Sequence, residues 1–126
     1  MKKLKKLLVI SNHPPEKWED EQKKGWDEIE FIPFPEIDPN ASRLDVAEQA
    51  RNFFVDVIRP RLDDENQFFC VQGEFTFFFE LSQIVSLYPS YAKKFVFPTT
   101  RRVVEEQRNP DGSISKVYKF KFVRWR

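Results

Sequence analysis

With one cysteine in 126 residues, the chain can form no internal disulfide and no zinc site built from thiolates. Histidine is equally scarce. His13 alone cannot supply the usual metal shell without a carboxylate cluster beside it. Glycine occurs three times, and neither Gly-x-x-x-x-Gly-Lys nor Gly-x-Gly-x-x-Gly is present, which excludes the two familiar nucleotide-phosphate loops. Ser11 lies in no Gly-x-Ser-x-Gly elbow, so a triad of Ser11, His13 and a carboxylate has no support. No apolar run approaches the roughly 18–20 residues of a membrane span. The basic start, Met1-Lys2-Lys3-Leu4-Lys5-Lys6, mimics the head of a secretory signal, but its apolar stretch ends at Ile10 and no small-residue cleavage site follows. It reads as a solvated lead into a buried strand, and a cytoplasmic location is the default. A net charge of +1 argues against the broad basic surface that coats long nucleic acid.

What is present suffices for a folded domain. A hydrophobic content of 40%, with 14 Phe and 3 Trp, fills a core, and 33% charged residues keep the chain soluble. The length suits a single domain over residues 1–126. Charge is uneven along it: residues 101–126 hold eight Lys/Arg against three acids, whereas residues 7–100 are acidic. Such polarity suits a local anionic ligand at the basic end or, equally, a solvated hairpin face.

Periodicity places the elements. Leu4–Ile10 is a strand buried on both faces, closed by Pro14-Pro15. A short polar helix over Pro15–Lys24 and a strand at Ile29–Ile32 follow. Ser42 caps a helix from Arg43 to about Leu62, whose apolar residues recur every three or four positions. Pro60 should kink or end it. Strands at Gln67–Val71 and Lys94–Phe97 flank a helix from Glu74 or Phe75 to Leu87. That helix is apolar on more than one side, as a central helix or one covering a second subunit would be. Arg102–Arg108 and Ser113–Arg126 form a hairpin around Asn109-Pro110-Asp111-Gly112, with Tyr118, Phe120 and Phe122 on a buried face and Lys119 and Lys121 facing water. The expectation is an α/β fold: a mostly parallel sheet flanked by helices, plus a C-terminal antiparallel hairpin.

Three polar clusters each close an apolar run: Ser11-Asn12-His13, Gln72-Gly73-Glu74-Phe75-Thr76 and Thr99-Thr100-Arg101-Arg102. If the three runs are parallel strands, the clusters emerge at one carboxyl-terminal edge, where open α/β sheets bind ligands. Hydroxyls, amides and guanidinium forks suit phosphate. Gly73 would let backbone approach a ligand, with helix amides behind it, or it is a plain tight turn with Glu74 as helix cap. Arg101 and Arg102 contact a ligand or pair with Glu105 and Glu106.

In these clusters and in the tail (Val103-Val104-Glu105-Glu106, Pro110-Asp111-Gly112-Ser113, Phe120-Lys121-Phe122-Val123-Arg124) the chain resembles the small stand-alone CRISPR-associated ring nucleases of type III systems. The resemblance implies a Rossmann-like, CARF-type fold and a homodimer binding cyclic oligoadenylate, the four-membered ring first. It implies metal-independent cleavage without a cofactor, in which a ribose 2′-hydroxyl attacks its own 3′-phosphate and the signal ends. Ser11, Asn12 and His13 would then be catalytic. Gln72, Gly73, Glu74, Phe75, Thr76, Thr99, Thr100, Arg101 and Arg102 would bind the ligand. The alternative is a non-catalytic sensor or sequestering module for the same ring.

Overall fold

A strand with four consecutive apolar residues is stable only where both sheet faces are covered. In the computed structural model, which describes residues 4–126, Leu7, Leu8, Val9 and Ile10 form the centre of β1 (Lys6–Ser11) and are 0–1% exposed. Met1–Lys3, part of the expected basic lead, lie outside the described residues. β2 (Glu28–Pro33) and β3 (Gln67–Gln72) pair with β1 on its two sides, both parallel, giving the order β2-β1-β3. The expected fourth strand at Lys94–Phe97 is reduced to one parallel bridge between Phe69 and Phe95. The reason is local: the N–H and C=O of Phe97 bond to Arg126, at 2.7 and 2.9 Å, and Pro98 follows.

α2 (Arg43–Phe53) begins where expected, with Ser42 Oγ accepting the Asp45 N–H at 3.1 Å. It does not run unbroken to Leu62. Pro60 has no N–H and its ring crowds the carbonyl four residues back. The chain responds with a π turn over Phe54–Ile58, in which Arg59 N–H donates to Phe54 O, and a 3-10 turn over Arg59–Arg61. Despite the change of pitch, Val46, Ala50, Phe54, Ile58 and Leu62 all stay buried. α3 (Phe75–Ser86) buries Phe77, Leu81 and Val85, and both helices pack on the sheet face carrying Leu8, Ile10, Phe69 and Val71. Phe77 is the hub: Phe34 and Phe53 stand edge-on to it at 5.2 and 5.5 Å. Phe75, Phe79 and Leu87 are exposed, so α3 is not buried all round. The polar helix expected over Pro15–Lys24 has no apolar face to dock and survives only as a 3-10 turn, Pro15–Lys17, and α1 (Asp20–Lys23). α4 (Pro89–Ala92) is a single turn. No helix among the described residues is long and apolar enough to cross a membrane.

The chain divides into two compact units. The first comprises the residues up to Lys17 with Gly25–Val96 and holds the parallel sheet. The second comprises Trp18–Lys24 and Phe97–Arg126. In it β4 (Pro98–Arg108) and β5 (Ile114–Trp125) pair antiparallel, with a register shift between Thr99 and Thr100. Gly112 supplies the left-handed residue of the turn, at φ +89°. α1 is fastened to β5 by the Glu19 carboxylate, which accepts the Phe122 N–H at 2.7 Å, and by Trp125 Nε1–H donating to Gln22 O at 2.9 Å. The hairpin thus begins at Pro98 rather than Arg102. Its aromatic side chains alternate as expected, but their face is not buried: Tyr118 and Phe120 are exposed.

Since Phe77 joins both helices and the sheet, Phe77→Ala should lower unfolding stability by about 3–5 kcal/mol. Urea denaturation of the two proteins checks it.

Candidate functional site

Ser11 and Gln72 are register partners at the carboxyl ends of adjacent parallel strands. From β1 the next strand lies on one side of the sheet, and from β3 the chain proceeds to Phe95 on the other. The carboxyl ends of β1 and β3 therefore flank a topological switch point, the place where open α/β sheets open a crevice. Ser11, 2% exposed, closes the strand: its Oγ accepts the His13 N–H at 3.1 Å, and its carbonyl accepts the Phe34 N–H at 3.1 Å. That turn lifts Asn12 and His13 to the surface, and Pro14 and Pro15 keep them from rejoining the sheet. Ser11, Asn12, His13, Gln72 and Gly73 together line a cleft of about 240 Å³. None carries a carboxylate. The hydroxyl, two amides and imidazole can all donate hydrogen bonds, so the cleft suits phosphate oxygens and ribose hydroxyls.

Gly73 has a structural reason of its own. A Cβ there would fall well inside contact distance of Phe34 Cγ, Cδ2 and Cε2, and Phe34 is a buried core ring. The glycine thus lets the β3–α3 turn close over Phe34. Glu74 is the cap of α3, its carboxylate accepting the N–H groups of Phe77 at 2.7 Å and Thr76 at 3.0 Å. These two bonds, Phe77 first, hold its carboxyl below the ordinary range. The expectation that amides behind Gly73 cradle phosphate is corrected here, because the amides of Thr76 and Phe77 are filled by the chain's own carboxylate. Glu74 and Thr76 line a separate cleft of about 380 Å³, with Asp38 and Arg43. Arg43 Nε donates to Glu80 at 2.6 Å. Phe75, between Glu74 and Thr76 in sequence, is 87% exposed. Its position was expected in the site; its exposure, and the part played by Phe34, were not. The three prolines around Phe34 signal a fixed backbone there, but nothing in the sequence pairs it with Gly73.

Thr99, Thr100, Arg101 and Arg102 belong to the second unit and lie within β4, a paired strand, where only Arg102 was expected; the other three were expected in a loop after a parallel strand. Thr99 Oγ1 donates to Arg124 O at 2.8 Å, and the Arg102 guanidinium lies over the Tyr118 ring at 4.1 Å. Thr100 and Arg101 are exposed. Glu105, one expected partner of the arginines, pairs with Lys119 at 3.0 Å, and that lysine lowers its pKa. Cys70 is buried and its thiol is pushed up to about 12 by desolvation, which keeps it protonated and unreactive. Among the described residues no group of three or more His, Cys, Asp or Glu is placed to hold a metal ion.

A family model described as the uncharacterized protein MJ1673 family matches residues 5–126. No curated protein and no solved structure gives a significant match.

Two measurements test the local assignments. Glu74→Ala should cost about 1 kcal/mol of stability at neutral pH. Because the folded-state pKa is depressed, that difference should be complete above the ordinary carboxylate range and vanish as pH falls through the folded value. Gly73→Ala should destabilise by about 1–3 kcal/mol through overpacking. In a double-mutant cycle, Phe34→Leu should recover part of that loss; strict additivity would show that the two residues do not collide.

Proposed function

The chain belongs to the MJ1673 family, and from that premise we propose that it is a ring nuclease with a CARF-like, Rossmann-type core, acting on cyclic oligoadenylate, the four-membered ring first. One placement carries the reading: Ser11-Asn12-His13 and Gln72-Gly73, distant in sequence, line one carboxylate-free cleft at the switch point of a parallel sheet.

The chemistry needs no nucleophile from the protein. A ribose 2′-oxygen attacks the adjacent phosphorus, the bond from phosphorus to the 5′-oxygen breaks, and a 2′,3′-cyclic phosphate and a 5′-hydroxyl result. The chain's part is to hold the 2′-oxygen in line and to steady charge on the phosphorane. Asn12 and Gln72 donate to the non-bridging oxygens. The Ser11 hydroxyl, whose oxygen already accepts from His13 N–H, offers its own proton to the ribose or phosphate. His13 takes the proton from the 2′-hydroxyl or returns one to the 5′-oxygen. Phe75 offers a face on which adenine stacks, worth about 1–3 kcal/mol per base. A cleft of about 240 Å³ is smaller than the roughly 300–1,000 Å³ of pockets for drug-sized ligands. One copy therefore accommodates one phosphate–ribose unit, and a two-fold ring calls for two copies.

One observation favours the other reading, a silent sensor or sequestering module: Glu74 occupies the helix amides that would otherwise steady a phosphorane.

Purified protein is incubated with cyclic tetra-adenylate and a chelator, and the products are chromatographed. Linear products ending in 2′,3′-cyclic phosphate are expected. An intact ring with tight binding would identify the silent module, and no binding would remove both readings. His13→Ala should slow cleavage by about 10²–10⁴-fold while the dissociation constant changes little. Equal losses in both would reduce His13 to a ligand contact.

A further inference from the structure

The register of the hairpin fixes what each face shows. Arg102 opposes Phe120, Val104 opposes Tyr118 and Glu106 opposes Lys116, so these six side chains share one face. On the other face Glu105 and Lys119 pair with each other. The first face is open: Val104 is 50%, Tyr118 51% and Phe120 69% exposed. An isolated two-stranded ribbon is marginally stable in water, and an aromatic strip left on it makes matters worse.

The charges around the strip identify what covers it. Along β4 the face reads cation, apolar, anion: Arg102, Val104, Glu106. Along β5 it reads cation, aromatic, aromatic: Lys116, Tyr118, Phe120. This pattern complements itself. A two-fold axis between two such faces, perpendicular to the strands, sets Arg102 against Glu106 of the second copy and Lys116 against Phe120 of the second copy. Val104 and Tyr118 then meet their own counterparts at the centre, and every charged residue of the six finds an opposite charge or a ring.

We propose that this face of the hairpin is a homodimer interface, with the strands of the two copies stacked antiparallel about that axis. The other in-plane axis, along the strands, sets Glu106 against Lys116 of the second copy, residues already opposed within each hairpin, and forfeits the guanidinium–carboxylate fork. Arg102 is prepared for its contact. Its guanidinium carbon stands 4.1 Å from the centre of the Tyr118 ring, which gathers the side chain onto this face. The exposed residues of α3 show no such complementarity, and Phe79 there is already faced by the Arg43 guanidinium at 5.6 Å. This inference needs no ligand and stands apart from the nuclease reading.

The test is sedimentation of the ligand-free protein over a concentration series. Wild type should be dimeric and Phe120→Lys monomeric, because the new ammonium would face Lys116 of the second copy twice. Arg102→Glu and Glu106→Arg, each alone, set like charges against each other twice and should weaken the dimer about tenfold or more. Mixed in equal amounts, these two variants should form a heterodimer, since each bad contact becomes a good one. That recovery also proves that both are folded. A monomeric wild type, a dimer that survives Phe120→Lys, or a mixture no tighter than its components would each overturn the proposal.

Discussion

Everything in the first unit follows from the need to cover both faces of β1. Four consecutive apolar residues leave Leu7–Ile10 with no face that water tolerates, so the strand must be central. A central strand in a parallel sheet needs a neighbour on each side, and a chain that supplies them as β2 and then β3 must cross over β1 between the two. That crossing produces the switch point. The cleft at Ser11 and Gln72 is thus a consequence of hydrophobic burial: the polar residues occupy a gap that the topology opens, and they have little share in holding the sheet together.

The turn after β3 shows structure and site competing for the same atoms. Phe34 fills the space that any side chain at position 73 would need, which ties the β3–α3 turn to the core through Phe77. Glu74 satisfies two amides at the start of α3 and so removes them from ligand binding. What reaches solvent is therefore not a generic helix-terminus anion site. It is a set of side-chain donors at the carboxyl ends of β1 and β3, with Phe75 on the capped first turn of α3. A ligand bound there would have to present acceptors to Asn12, His13 and Gln72.

How far the sequence could be read depended on whether each signal was local. β1, the cap at Ser42, the start of α3 after Gly73 and the turn at Gly112 were all legible, because each follows from a few neighbouring residues. The break in α2 was half legible: Pro60 announced it, but the π turn by which Phe54 and Ile58 stay buried depends on packing. The clash between Phe34 and Gly73 was invisible, since those residues are 39 positions apart and neither is unusual alone. The fourth strand and the hairpin start were misplaced for one reason. Val96 and Phe97 read as a continuing parallel strand, yet the backbone of Phe97 pairs with Arg126 at the far end of the chain. Thr99, Thr100 and Arg101 moved with them, from an expected loop into β4, where Arg102 was already expected.

The hairpin face and the cleft share a physical shortfall. A ribbon with an aromatic strip in water lacks a covering layer, and a cleft of about 240 Å³ is too small to enclose a ligand of several nucleotides. Adding core residues to the same chain would remedy the first but not the second, and enlarging the cleft would do the reverse. A second copy would answer both, because symmetry would supply the ribbon with a complementary face and double the number of donor sets without any change in sequence. The alternation of cation, apolar and anion along β4 is what such symmetry requires. A face meant for an unrelated partner has no reason to match itself under a two-fold rotation, whereas the six residues around Val104 and Tyr118 do so.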